Sequence, residues 1–214
     1  MARGLLITVE GIDGAGKTTL VASLARRLAE RGQPVQVLRE PGGVELAERI
    51  RSLLMDPAMS ISPRAEALLY AAARAQLVQE LVQPALREGA VLLADRFLDS
   101  SLAYQGGGRE LGIDDVRKLG EFAVGETRPD RTLLLQVPLE VGRRRLAAKA
   151  GAVDRLEREG EDFFAAVARA YEELAAAEPD RFRVIQADRP PELVLADALQ
   201  ALEDMLPAAG ESTI

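Results

Sequence analysis

Gly4-Leu-Leu-Ile-Thr-Val-Glu10-Gly11-Ile12-Asp13-Gly14-Ala15-Gly16-Lys17-Thr18-Thr19 lies almost at the start of a 214-residue chain. Its first half is a short apolar, β-branched run of the kind found in strands buried on both faces. Its second half fits G-x-x-x-x-G-K-[ST]. An amphipathic stretch from Thr18 to Arg31 follows, stopped by Gly32 at a favourable helix C-terminal position. A glycine-rich turn between a strand and a helix lets successive backbone N–H groups face a phosphate, and the helix N-terminus adds a positive dipole end. Lys17 then serves as a point charge for the β- and γ-phosphates. The Thr18 hydroxyl suits Mg²⁺, with Asp95 reaching the same ion through water.

Working outward, four more apolar runs match the first: Pro34–Arg39, Ala90–Asp95, Arg131–Val137 and Phe182–Gln186. All five read as near-continuous hydrophobic strands of a parallel sheet. Helical stretches separate them. Ser62-Pro63 opens a helix to about Val82, Pro138 opens one through Lys149, and Gly160 precedes one to Glu178. Alternating β and α units predict an open α/β sheet in one domain over residues 1–206. Within it, residues 148–160 read as a polar, exposed and mobile segment bracketed by Gly151 and Gly160, part of an insert over about 143–160, and 207–214 as a frayed tail.

Composition narrows the chemistry. The chain has no Cys, His, Trp or Asn, and its aromatic content is only 4%. The core is therefore aliphatic. Disulfides, thiolate or His-ligated metal sites and Ser-His-Asp hydrolysis are excluded. A net charge of −7 argues against a nucleic-acid or anionic-membrane partner. No apolar run is long enough to span a bilayer and no leader pattern opens the chain, so a cytoplasmic location is expected. Only three of the 27 basic residues are Lys. The absence of Asn and of a Lys followed two positions on by Asp excludes an Asn-Lys-x-Asp guanine-reading loop. Residues 11–16 carry no second Lys of the partition-ATPase type. A small kinase is favoured.

A kinase needs cations at the acceptor as well as at the donor. Arg39 and Arg96 each follow a strand, where ligands bind in open α/β sheets, and either can fork onto a phosphate. Tyr70 and Arg74 share a helix face at i, i+4 spacing. They read either as a base-stacking ring with a base-carbonyl donor or as a core Tyr beside a surface Arg. Ser100-Ser101-Leu-Ala-Tyr104-Gln105-Gly106-Gly107-Gly108-Arg109 reads either as a ligand loop with close backbone approach or as a flexible loop.

Taken in order, these pieces, together with Asp154-Arg155-Leu-Glu157, resemble the thymidylate kinase family, bacterial subtype, from residue 5 to about residue 200. The resemblance implies a P-loop nucleoside monophosphate kinase fold. Its five-stranded parallel sheet has the order 2-3-1-4-5, and a mobile lid sits beside it. It implies transfer of the ATP γ-phosphoryl group to dTMP with Mg²⁺, in a homodimer. Gly11, Ile12, Asp13, Gly14, Ala15, Gly16, Lys17, Thr18 and Thr19 would hold ATP, aided by Arg145 and Lys149, with the metal at Thr18 and Asp95. Asp13 would face the acceptor's sugar and phosphate region, and Arg39 and Arg96 would hold that phosphate. Tyr70 would stack on thymine where the family usually has Phe. Arg74 would reach a thymine carbonyl, Ser101 and Gln105 would lie near the base, and Tyr104 would sit under the deoxyribose. Lys17, Asp13, Arg96 and Arg155 are the expected catalytic set.

No basic residue interrupts positions 12–15, so the lid must supply a transition-state cation. Arg155 is the first expectation, with Arg145 and Lys149 next. The segment Gln186–Pro190 falls where such kinases hold adenine. Gln136, where many relatives carry Asp, is expected to be structural. Dimer contacts are expected on the helix around Arg64–Val82 and on the helix before Ala94. A kinase for another deoxynucleotide and an ATP-driven switch protein are the competing readings. The switch would need neither a base site nor the triple-glycine loop.

Overall fold

The computed structural model describes residues 3–148 and 155–206. Lys149 and the tail from 207 to 214 lie outside them, as does most of the central stretch of the expected lid. Five parallel strands form one sheet: β1 (Leu5–Glu10), β2 (Val35–Arg39), β3 (Val91–Asp95), β4 (Arg131–Gln136) and β5 (Phe182–Gln186). Their spatial order is β2-β3-β1-β4-β5, the order that the resemblance implies. β1 therefore sits at the centre, with Val9 opposite both Asp95 of β3 and Leu133 of β4.

Position in the sheet explains strand composition. β3 is buried throughout and β1 and β4 nearly so, matching their unbroken apolar runs. β2 and β5 were expected to be buried on both faces as well. They are instead the sheet edges, where Val37 and Val184 are about half exposed.

Helix α1 (Lys17–Ala29) follows the glycine-rich turn and packs its Leu20, Val21, Leu24 and Leu28 into the core. After β2 come α2 (Glu45–Met55) and α3 (Pro63–Leu77). The helix opened by Pro63 runs on beyond the expected end at Val82, through a π-helical turn at Val78–Val82, into α4 (Gln83–Arg87). Pro84 has no N–H to donate and crowds the carbonyl four residues back, so a widened turn ahead of it lets the chain stay helical.

After β3, a short α5 (Leu98–Ser101) widens into a π-helical stretch, Leu102–Gly108, followed by α6 (Ile113–Val124). Beyond β4 lie α7 (Leu139–Ala147) and α8 (Glu161–Ala177), and α9 (Pro191–Gln200) follows β5. The triple glycine is helical and packed, Gly106 buried and Gly107 and Gly108 half-buried, not a flexible loop. A Cβ on Gly107 would stand 2.7 Å from Ala170 Cβ, and one on Gly108 2.6 Å from the Phe163 ring. These glycines let the π-helical stretch lie directly on α8. Their close approach is to a helix rather than to a ligand.

Candidate active site

Between β1 and α1 the chain turns through Gly14 and Gly16, both with positive φ. Lys17 is almost wholly buried beneath the turn, its Nζ donating to Gly11 O at 3.0 Å and Ile12 O at 2.9 Å. Burial, with Arg96 nearby, lowers its pKa to about 8, against the pull of Asp13 and Asp95. The loop is backed by α7. A Cβ on Gly14 would meet Gly142 O at 2.1 Å, so the loop and α7 touch backbone to backbone.

Thr18 Oγ1 donates to Asp95 Oδ2 at 2.7 Å, joining the start of α1 to the end of β3. This is a hydroxyl and a carboxylate on a cavity wall, both hard oxygen donors. Among the described residues there is no cluster of three or more metal-ligating side chains. Two protein oxygens with room for water and phosphate are what Mg²⁺ favours over an all-protein cage, so these residues fit it.

Arg96 is the centre of the site. It is a non-glycine residue at φ 74°, a strained conformation that the surroundings must hold. Its Nη2 meets Asp13 Oδ1 at 2.5 Å and Tyr104 OH at 3.0 Å, and its guanidinium lies 4.7 Å from the Tyr104 ring centroid. Nη1 reaches Gly11 O, Ser100 Oγ and Tyr171 OH at 3.3, 2.9 and 3.4 Å. Tyr104 OH also donates to Asp13 Oδ2 at 2.9 Å. Burial alone would raise the Asp13 pKa, but Arg96 and Lys17 outweigh it and hold the carboxyl at about 2.

A cavity of about 430 Å³ joins these groups. Asp13, Gly14, Gly16, Lys17, Thr18, Thr19, Asp95 and Arg145 line it toward the loop, and Arg39, Tyr70, Arg74, Ser101 and Gln105 line it away from the loop. Arg96 and Tyr104 also line it, and Arg96 bonds back to the loop at Gly11. Arg39 is half exposed and holds Glu48 at 3.1 Å. Arg74 is the opposite of a surface Arg. It is 2% exposed and paired with Glu40, Nε to Oε2, at 2.6 Å. Its Nη2 donates to Phe97 O and Ser101 Oγ. Burial raises the Glu40 pKa despite Arg74, and Glu40 Oε1 is buried without a hydrogen-bond partner.

Gln105 is held by Glu66, its Nε2 donating to Oε1 at 2.8 Å. Glu66 is fully buried and also takes Arg109 and Arg155. Arg155, expected among the phosphates, is thus elsewhere. Its Nη2 stands 2.6 Å from Glu66, its Nε donates to Leu54 O at 3.1 Å, and it is not on the cavity wall. A buried carboxylate nearby outcompetes an open cavity for the guanidinium. Its neighbours Leu156 and Glu157 do line the cavity. Arg145 reaches Gly14 O at 3.5 Å and Ala187 O at 3.0 Å, directly at the loop. Lys149 lies outside the described residues.

A smaller cavity of about 200 Å³ adjoins the loop, lined by Gly16, Thr19, Arg145, Ala187, Arg189 and Pro191 among others. It includes part of the expected adenine segment. Gln136 accepts from Gln186 and donates to Glu172, tying β4 to β5 and α8.

Sequence reading missed the buried carboxylates Glu10, Glu40 and Glu66, together with Tyr171. One signal was available. Glu66, Tyr70 and Arg74 repeat at i, i+4, i+8 and so share a face of α3.

A family model described as Thymidylate kinase matches residues 9–198. The thymidylate kinase of Ectopseudomonas mendocina (strain ymp) is 50% identical over 208 residues, covering 96% of this chain and 98% of the relative. That of Pelotomaculum thermopropionicum is 46% identical over 207 residues, covering 96% of each chain. The crystal structure of thymidylate kinase from Ehrlichia chaffeensis superposes with a TM-score of 0.78 at 29% identity, covering 94% of this chain and 99% of that one. With the family model matching most of its length and relatives at about half identity covered almost end to end, the chain belongs to the thymidylate kinase family.

Proposed function

We propose that the 430 Å³ cavity is where the γ-phosphoryl group of ATP passes to the phosphate of dTMP, giving ADP and dTDP. The observation that carries this reading is the single cavity with two ends. One has the phosphate loop, Lys17 and the Thr18–Asp95 pair. The other has Arg39, Arg74, Tyr70 and Gln105, with Arg96 and Asp13 between them. A switch ATPase has no need of the second end.

In this reading ATP lies on the loop with its adenine toward the cavity beside Ala187 and Arg189. Mg²⁺, held through Thr18 and Asp95, would neutralise charge on the β- and γ-phosphates. Lys17, freed from the loop carbonyls, follows the transferring group. Arg96 and Arg39 bind the acceptor phosphate, whose oxygen is already anionic, so positioning and cations replace a strong base. Tyr70 stacks on the base, Arg74 and Gln105 meet its edge, and Tyr104 closes the sugar site. Arg145 supplies the lid-side cation, supported by its contact with Gly14. Arg155 braces the acceptor pocket through Glu66.

The homodimer is part of the proposal. Its support is apolar exposure. Phe122 on α6 is 91% exposed and Leu68 on α3 57% exposed. The helix before Ala94 is a poorer candidate than expected, because Ala85 and Leu86 are buried in the core. The expected cytoplasmic setting is retained. Among the described residues no helix is long and apolar enough to cross a membrane.

The test is an ADP-release assay with ATP, Mg²⁺ and each nucleoside monophosphate. Turnover is expected to be fastest with dTMP. A rate with dTMP equal to the rate without acceptor would refute the assignment, and faster turnover with dCMP or UMP would reassign the acceptor.

A further inference from the structure

Glu10 ends β1 with no solvent exposure, directly behind Arg96. Its Oε1 accepts the Phe97 N–H at 2.7 Å. Its Oε2 accepts Ser100 Oγ at 2.6 Å and Tyr171 OH at 2.9 Å. Those two hydroxyls are 2.9 Å apart, and both lie within hydrogen-bond reach of Arg96 Nη1. Arg96 is also the residue in the strained positive-φ conformation. One carboxylate thus fixes the backbone just after Arg96 and, through two hydroxyls, orients its guanidinium.

We propose that Glu10 is a positioning residue for phosphoryl transfer, acting through Ser100 and Tyr171 to aim Arg96 at the acceptor phosphate. The proposal rests on the reading of Arg96 as an acceptor-phosphate ligand. Three facts favour it over a purely structural buried acid. Asp99, a carboxylate whose charge acts on Glu10, has its own cation in Arg181 at 2.6 Å, whereas Glu10 is held by hydroxyls and a backbone N–H. Both hydroxyls that contact Glu10 also contact Arg96, whereas an acid that only satisfied the core would need no shared partner. And Tyr171 comes from α8, so the relay fixes Arg96 against an element other than its own. With Asp13 on Nη2 and the two hydroxyls on Nη1, the guanidinium plane is set from both sides.

The experiment compares Tyr171→Phe, Ser100→Ala and Glu10→Gln with Arg96→Lys and with the double variant Tyr171→Phe/Arg96→Lys. KM for dTMP, KM for ATP and kcat are measured separately. Loss of a hydrogen bond to a charged group is expected to lower kcat/KM for dTMP about tenfold in Tyr171→Phe, with KM for ATP within about twofold of wild type. In the double variant the losses are expected to be far from additive, since both act on one guanidinium. A purely structural role would lower kcat through the active fraction and leave KM for dTMP unmoved. That result, additive losses, or wild-type dTMP kinetics in both Tyr171→Phe and Ser100→Ala would overturn the relay. Should Glu10→Gln fail to fold, the two hydroxyl variants decide alone. Wild-type kinetics in Arg96→Lys would overturn the site reading and the relay together. An impaired Arg96→Lys beside unimpaired Tyr171→Phe and Ser100→Ala would overturn the relay only.

Discussion

Arg155 Nη2 stands 2.6 Å from Glu66 Oε2, and Glu66 has no exposure to solvent. The arginine that the sequence order puts in the lid is thereby bound to the same carboxylate as Gln105 on the cavity wall. Two roles separate at this contact. A cation that stabilises the transferring phosphoryl group changes kcat, whereas one that braces the acceptor pocket changes KM. Arg155→Ala is expected to raise KM for dTMP severalfold with kcat within about tenfold of wild type. Arg145→Ala is expected to lower kcat by about 10²-fold or more. Steady-state kinetics in both substrates checks this, and a large kcat loss confined to Arg155→Ala would reverse the two roles.

The Asp13–Arg96 pair makes stability of the ligand-free protein pH-dependent. The folded-state pKa of Asp13 is about 2, below its ordinary 3.8. The stabilisation is therefore complete above about pH 4 and is lost as pH falls toward 2. A shift of that size corresponds to about 2 kcal/mol. Urea unfolding of wild type and Asp13→Asn is expected to differ by about this amount at pH 6 and to converge only as the pH falls to about 2 and below. A difference that stays constant with pH would show that the carboxylate charge contributes nothing.

Arg74 and Glu40 form a pair with side chains 2% and 3% exposed. Removing one partner leaves a buried charge without compensation. Arg74→Ala is expected to destabilise the fold by about 3–5 kcal/mol, read as a lower urea midpoint at unchanged slope. Loss of dTMP binding in this variant therefore has to be measured below its unfolding transition. A variant as stable as wild type would mean that Glu40 takes up a proton at little cost.

Gly108 lies where a Cβ would come within 2.6 Å of the Phe163 ring and 2.8 Å of Val167. Gly108→Ala is expected to cost about 1–3 kcal/mol by overpacking, and to disturb Tyr104 on the same π-helical stretch. Calorimetry together with KM for dTMP measures both effects. Gly32→Ala, where a Cβ would meet nothing within 4 Å, separates packing from backbone strain because it sits at φ 76°. That control is expected to leave KM unchanged.

An exposed Phe122 marks the proposed dimer face. Phe122→Arg is expected to shift sedimentation from dimer to monomer at micromolar concentration while the fold melts as before. A wild-type chain that sediments as a monomer would refute the face.

Much of this was legible along the chain. The glycine-rich turn needs only residues 11–18, because its chemistry is local. The buried strands announce themselves in apolar runs, although nothing in Val35–Arg39 or Phe182–Gln186 marks them as edges. That depends on what lies alongside. Arg39, Tyr70, Arg74, Arg96, Ser101, Tyr104 and Gln105 do converge on one cavity. The contacts of the carboxylates that hold them were illegible for the opposite reason, even where the spacing of Glu66 from Tyr70 and Arg74 marks a shared face. Glu40 meets Arg74 across 34 positions, Glu66 meets Gln105 across 39, and Glu10 meets Tyr171 across 161. Periodicity carries no information over such separations. For Arg155 the sequence showed the charge but not the rival carboxylate.

The placing of Tyr171 and Phe163 on α8 also has a consequence for synthesis. β1, the phosphate loop, β3 and Arg96 are all synthesised within the first 100 residues. Yet the hydroxyl that reaches Arg96 and Glu10, and the ring on which Arg109 rests, arrive only with residues 163–171. β4, the other neighbour of the central strand, is also late. A nascent or truncated chain therefore has a phosphate loop with no finished acceptor pocket. The complete site is therefore available only once nearly the whole chain has been synthesised.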